Sequence, residues 1–152
     1  MFEIREDALS EEGTLDLLRI HLAGMSANSP PESVFALDLS GLKAPQVTVW
    51  TVRQSGRVIG MGALKELDSG SGELKSMRTH PDHLRRGVAA HLLDFLIAEA
   101  RARGWRKLSL ETGHGPAFEP ALNLYRNRGF VEGAAFSDYQ PSPFCQFFHM
   151  SL

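Results

Sequence analysis

Two arginines stand where a helix should begin. Arg85 and Arg86 precede Gly87, and from about Arg86 the residues Ala89, Leu92, Leu93, Leu96, Ile97 and Ala100 recur at helical spacing. A helix N-terminus carries partial positive charge and unpaired N–H groups, so carboxylates are favoured there and guanidinium groups are not. The repulsion makes sense if an anion is to lie among them. Gly87 has no side chain, so a phosphate can approach the backbone N–H groups closely. The run Arg85, Arg86, Gly87, Val88, Ala89 therefore reads as a pyrophosphate cradle. The alternative is a solvated basic turn before an ordinary helix.

The cradle needs a strand before it and a helix after it. Glu73 to Thr79 reads as that strand, and Pro81 stops it, because proline cannot donate to a ladder. Gly104 fits the C-terminal cap of the helix. Upstream, Phe2 to Arg5 alternate as a first strand. A helix follows from Ser10-x-x-Gly13, with Leu15, Leu18, Leu22 and Met25 as its apolar face. Pro30-Pro31 breaks it, and Pro31 can start a short helix over Glu32 to Leu39, with a loop from Gly41 to Pro45. Val47 to Arg53, Arg57 to Glu66 and the strand from Glu73 form an antiparallel meander, with turns at Gln54-Ser55-Gly56 and Asp68 to Gly72. Beyond the cradle helix come a strand at Lys107 to Thr112, a helix at Phe118 to Arg128, a strand from Phe130, a loop at Tyr139 to Phe144 and a last strand at Gln146 to Leu152. The order β, α, α, β, β, β, α, β, α, β, β contains one β-α-β unit, which needs a right-handed crossover and a parallel strand pair. A mixed, mostly antiparallel sheet of seven strands with helices on both faces is the expected α/β (α+β) architecture.

The 152 residues fit one domain, 1–152, by size. Hydrophobic residues make up 43% and charged residues 22%, ordinary values for a globular chain. The net charge of −2 speaks against bulk nucleic-acid binding. No apolar run approaches the ~20 residues of a membrane span, and the N-terminus lacks a signal-peptide pattern. The single cysteine, Cys145, excludes an internal disulfide and suits a reducing cytoplasm. It reads as core filling, and Trp50 and Trp105 read as core. Histidine spacing around the cradle makes no metal site.

Met77-Arg78-Thr79-His80-Pro81 followed by Arg85-Arg86-Gly87-Val88-Ala89 resembles the acetyl-CoA-binding segment of the GNAT N-acetyltransferases, whose loop reads Gln/Arg-x-x-Gly-x-Gly/Ala. Gly87 and Ala89 match. Leu84 takes the Gln/Arg position, so one side-chain contact to phosphate drops out of the pattern, while the backbone cradle does not depend on it. Ala121-x-x-Leu124-Tyr125-x-x-x-Gly129-Phe130 resembles the same family's late helix, and the element order agrees over essentially the whole chain. Ser29-Pro30-Pro31-Glu32-Ser33 and Phe118-Glu119-Pro120-Ala121 are similar to a bacterial branch of such acetyltransferases. The resemblance implies acetyl-CoA as acetyl donor, no metal, and direct transfer to an amine. It implies backbone contacts to the pantetheine arm from the stretch Met77, Arg78, Thr79 and a side-chain contact from Asn123. A homodimer is left open.

The chemistry then asks for two groups. An alkyl amine of pKa about 10 is ~99.9% protonated at pH 7, a deficit of roughly 4 kcal/mol, and a base must remove that proton. Glu111, near the end of its strand and on one face with Ser109, is the first candidate, and Glu73 the second. Either carboxylate could instead be a strand-end ion-pair partner, and Lys75 makes that easy for Glu73. The departing thiolate needs a donor, and Tyr125, whose phenol stays protonated at pH 7, occupies the family's tyrosine position. The expected acceptor is a small-molecule amine with an apolar or aromatic body, bound between His21, Met25, Pro31 and Glu32 on one side and Tyr139 and Phe144 on the other. Prolines hold such segments in few conformations, and neither segment has the acidic run a lysine-rich tail would want. The other outcomes are acetylation of a protein or peptide amine, and an acyl-CoA sensor without catalysis.

Overall fold

The computed structural model describes residues 2–23, 38–68, 70–113, 116–141, 143 and 145–152. Seven strands form one sheet: β1 (Glu3–Glu6), β2 (Val47–Gln54), β3 (Arg57–Asp68), β4 (Ser71–Thr79), β5 (Lys107–Gly113), β6 (Val131–Gly133) and β7 (Cys145–Ser151). Their spatial order is β1-β2-β3-β4-β5-β7-β6. Every pairing is antiparallel except β4 with β5, which is parallel. Three α-helices lie wholly among the described residues: α1 (Glu12–Ala23), α2 (Val88–Ala102) and α3 (Glu119–Asn127). This is the mixed seven-stranded α/β sheet expected from the element order. The β4-α2-β5 unit supplies its parallel pair.

Both faces of the sheet are covered. On the first face α2 and α3 pack Leu92, Leu93, Leu96 and Leu122 against Val52, Leu64, Leu74, Leu108, Leu110 and Phe148. On the second face α1 packs Leu17, Leu18 and Leu22 against Val49, Met61 and Ala63, with Leu42 beside them. The helical stripes differ from expectation by small rotations. In α1 it is Leu17 that is fully buried, and Leu15 packs at the margin. In α2 Val88 is buried and Ala89 only half-buried. Residues 38–42 are helical where a loop was expected from Gly41. Burial of Leu42 and the bond from Lys43 N–H to the Leu39 carbonyl, 3.1 Å, outweigh the modest helix penalty of Gly41. Both tryptophans are core, whereas Cys145 is half-buried at the start of β7.

Two local features position the site. The β2–β3 hairpin turns on Ser55 and Gly56, both left-handed at φ 52° and 80°, the two-residue turn that matches strand twist. More consequential is a bulge in β4. Met61 faces Arg78 and Ala63 faces Lys75, so β4 spends one more residue than β3 there, and Ser76 has φ 56°. The extra residue reverses the alternation. Met77 points into the first face, against Leu92 and Leu96, and Arg78 points out of the second.

A buried charge cluster ties β1, α1 and β2 together. Arg53 donates to Asp7 Oδ2 at 2.8 Å and to Glu11 Oε2 at 2.6 Å, while Thr14 donates to Asp7 Oδ2 at 2.9 Å. The Arg53 and Asp7 side chains are only 7% and 2% exposed. Removing one partner of such a pair strands the other charge. Asp7→Ala is therefore expected to destabilise the fold by about 3 kcal/mol, read from urea unfolding. A loss below about 1 kcal/mol would assign the cluster no structural weight.

Candidate active site

The parallel pairing of β4 with β5 covers only Ser71–Glu73 against Lys107–Ser109. Beyond Glu73 the two strands part. β4 remains paired with β3 through Thr79, and β5 with β7 through Gly113, so the edges that face each other across the split carry peptide groups outside any ladder. Such groups need partners, and an extended molecule with amides of its own can supply them.

At the open end of the split stands the start of α2. Val88 approaches Gly60, which pairs with Thr79 at the end of β4, so the helix N-terminus lies beside the mouth. Gly87 is the N-cap at φ 83°, with no side-chain cap and no acidic residue in the first turn. The first helical bond runs from His91 N–H to the Gly87 carbonyl at 3.0 Å, leaving the N–H groups of Val88, Ala89 and Ala90 without helical partners. A Cβ at Gly87 would meet nothing within 4 Å, so the space before the helix is open. Arg85 and Arg86 are exposed there, with no ion pair among the described residues. Uncapped donors, exposed arginines and open space fit a pyrophosphate.

Alternation and the bulge place Glu73, Lys75 and Arg78 of β4 on the second face, together with Ser109 and Glu111 of β5 and Phe147 and His149 of β7. Glu73 is 3% exposed, at the last paired position before the split. Tyr139 donates its hydroxyl hydrogen to Glu73 Oε2 at 2.5 Å. Burial raises the Glu73 carboxyl above its ordinary range, against the Tyr139 hydrogen bond and the charges of Lys75 and Lys65. The Tyr139 phenol is raised too, by burial and then by this carboxylate, so it remains a donor. Glu111 is half-buried and close enough for its charge to act on Glu73. Phe136, Tyr139 and Phe147 form an aromatic cluster beside them, with centroids 5.1 to 5.9 Å apart.

Further along this face Arg78 Nε donates to His21 Nδ1 at 3.0 Å, and its Nη2 to the His21 carbonyl at 3.3 Å. Burial, helped by the Arg78 charge, lowers the His21 pKa to about 4, so the imidazole is neutral and accepts through Nδ1. Asp38 lies near Lys75, its carboxyl raised by burial and its Oδ2 buried without a hydrogen-bond partner. Ser109 Oγ and His149 Nδ1 are 2.7 Å apart. With His149 Nε2–H donating to the Ala134 carbonyl at 2.7 Å, Ser109 is the donor.

Tyr125 belongs to the opposite, first face. It is buried in α3, in edge-on contact with Phe130 at 5.7 Å, and burial pushes its pKa up to about 12. Asn123 is exposed on the same helix. The carboxylates and Tyr125 are thus on opposite faces of one sheet.

The structure brings Glu73, Glu111 and Tyr139 together and joins His21 to Arg78. The expected substrate contacts Met25, Pro31, Glu32 and Phe144 lie outside the described residues. Four features were absent from the sequence reading: the bulge at Ser76, the His21–Arg78 link, Asp38, and the Ser109–His149 pair. A serine in a strand carries no mark of a left-handed backbone, and the other three depend on residues far apart in the chain. A groove of about 420 Å³ lined by Lys107, Gly129, Val131, Glu132 and His149 lies apart from the split and contains none of the candidate residues.

Residues 14–130 match the model of the acetyltransferase (GNAT) family. The chain is 46% identical over 140 residues to the uncharacterized N-acetyltransferase YsnE of Bacillus subtilis, covering 92% of this chain and 93% of that one. It is 43% identical over 152 residues to the uncharacterized N-acetyltransferase YedL of Escherichia coli, covering 100% and 96%. A crystal structure described as an acyl-CoA N-acyltransferase of Klebsiella pneumoniae superposes with a TM-score of 0.83 at 30% identity, covering 100% and 98%. A GNAT acetyltransferase of Elizabethkingia anophelis, solved with acetyl-CoA bound, has the same fold, with a TM-score of 0.73 at 20% identity and coverage of 99% and 98%.

Proposed function

Because the chain belongs to the acetyltransferase (GNAT) family, a family of N-acetyltransferases, we propose that it passes the acetyl group of acetyl-CoA directly to the amine of a small molecule. Support comes above all from the split between β4 and β5, with Glu73 on one face and Tyr125 on the other.

Acetyl-CoA, when bound, supplies an activated acetyl group as a thioester. The N–H groups at the start of α2, with Arg85 and Arg86, hold its pyrophosphate. The peptide groups of Met77 and Thr79, freed by the parting of the strands, pair with amides of its pantetheine arm, and Asn123 adds a side-chain contact. Glu73 takes the proton of the incoming ammonium, directly or through a water. What favours Glu73 over Glu111 as base is its burial, its raised carboxyl pKa and its place where the strands part. A general base works best with a pKa near the working pH, and burial moves Glu73 in that direction. Glu111, on the same face, holds the ammonium group by charge. On the other side Tyr125, kept protonated by burial, donates to the sulfur as it leaves.

The second face favours one compact amine. Its aromatic cluster of Phe136, Tyr139 and Phe147 offers apolar contact beside the carboxylates. Acidic and basic groups are interspersed there, Glu73 and Glu111 with Lys65, Lys75 and Arg78, so the described residues present no acidic track for a lysine-rich tail. The test is release of free CoA and of an acetylated amide, followed with a panel of amines, amino acids and basic peptides. Stoichiometric amide from a small amine supports the reading. Turnover of basic peptides far above any small amine overturns the choice of acceptor.

The cradle is tested by Gly87→Glu. The substitution adds a carboxylate facing the pyrophosphate and forces a side chain into a left-handed position. Calorimetry is expected to show acetyl-CoA affinity lowered at least tenfold, about 1.4 kcal/mol. Unchanged affinity in a folded variant would remove the cradle from the account.

A further inference from the structure

Resting on this reading of the second face as the acceptor side, we infer that the acceptor carries an anionic group, a carboxylate, besides its amine, and that Arg78 binds that carboxylate. The bulge at Ser76 turns Arg78 onto the face of Glu73 and Lys75, away from the leucines under α2. It is half-buried, and burial lowers its pKa, yet among the described residues no carboxylate pairs with it. Burying a guanidinium without an anion is costly, and most such groups are paired.

Among the described residues, the hydrogen-bond acceptors of Arg78 are neutral. His21 takes Nε–H through Nδ1 and one Nη2–H through its carbonyl, and the imidazole stays uncharged. Those contacts use two of the five N–H donors of a guanidinium and fix its plane. Among the described residues nothing engages the end formed by Nη1 and the remaining Nη2–H, and that fork matches a carboxylate in bidentate geometry. His21 thus acts as a positioning residue that orients Arg78 without neutralising it. Of the described carboxylates on this face, Asp7 and Glu11 pair with Arg53, Glu73 accepts from Tyr139, Asp38 feels the charge of Lys75, and Glu111 is assigned to the ammonium group. Arg78 and Glu73 lie on one strand with Lys75 between them, so amine and carboxylate would be held at separate points of one molecule. Arg78 then sets specificity, while Glu73 does the proton transfer.

The test compares aminocarboxylates of graded chain length with amines of the same length lacking the carboxylate, using the full-length wild type, Arg78→Gln and Arg78→Lys. Binding of the aminocarboxylates to each protein in the presence of CoA is measured separately by calorimetry. Wild type is expected to prefer at least one aminocarboxylate over its matched amine by about tenfold or more in kcat/KM, since a site with an unpaired buried group rejects the analogue that cannot pair it. Arg78→Gln is expected to abolish that preference, chiefly through a raised KM for the aminocarboxylate, and to remove its calorimetric binding. Arg78→Lys is expected to restore only part, because the bidentate fork is lost. Amines turned over with no preference for a carboxylate, or a preference that survives in Arg78→Gln, overturn the inference and leave the transfer reading intact. Binding of aminocarboxylates that depends on Arg78, with no amide formed from any amine, sustains the carboxylate site and sinks the transfer reading. Neither turnover nor Arg78-dependent binding overturns both.

Discussion

Glu73→Gln is expected to lower kcat/KM with a small amine by about 10²-fold or more near neutral pH while leaving acetyl-CoA affinity within about twofold. Glutamine keeps the shape and still accepts the Tyr139 hydroxyl hydrogen, so only the capacity to take a proton is removed. The stability sign separates this from simple damage. Burial raises the folded-state pKa of Glu73 above its unfolded value, so its stability contribution is present below the unfolded pKa and lost as pH rises through the folded one. At pH above that folded value the wild type holds a buried, ionised carboxylate, and a neutral glutamine there should leave the thermal midpoint equal or higher. The wild-type rate should rise with pH through the Glu73 pKa, and that limb should flatten in the variant. A folded Glu73→Gln enzyme with undiminished turnover, with chemistry limiting the rate, would return the base role to Glu111.

The second large effect is expected at Tyr125. Tyr125→Phe keeps the ring against Phe130 and deletes the hydroxyl. Burial keeps the phenol protonated up to about pH 12, so it is a donor throughout the working range. A poor leaving group deprived of its proton donor departs more slowly. The variant should lose roughly 10²-fold in kcat, with little change in acetyl-CoA binding or thermal midpoint. Full kcat, with the chemical step shown to limit turnover, would make Tyr125 a packing residue of the first face.

These two residues show how far the sequence carried. The strands, the helices at α1, α2 and α3 and the parallel crossover followed from periodicity, proline and glycine punctuation, because both the β-meander and the helix after Gly87 are written in local signals, while most of the short helix expected over Glu32 to Leu39 lies outside the described residues. The uncapped, arginine-flanked entrance of α2 was legible for the same reason: its strangeness is a matter of neighbouring residue types. What could not be read was which face each strand residue occupies after Ser76. Strict alternation would send Arg78 into the core and Met77 out, and the single left-handed serine reverses both. Nor could the burial of Glu73 be read, since it depends on β5 and Tyr139. Glu111 looked the better base by its strand-end position. Environment, which only the fold supplies, favours Glu73.

The most direct test of the account is a crystal structure of the protein with acetyl-CoA. The pyrophosphate is expected on the N–H groups of Val88, Ala89 and Ala90, and the pantetheine arm between β4 and β5 beyond Glu73. The sulfur is expected within about 3.5 Å of the Tyr125 hydroxyl and the acetyl carbon open to an amine arriving from the Glu73 face. A pantetheine arm lying outside the split, or a sulfur out of reach of Tyr125 with the helix entrance empty of phosphate, would contradict it.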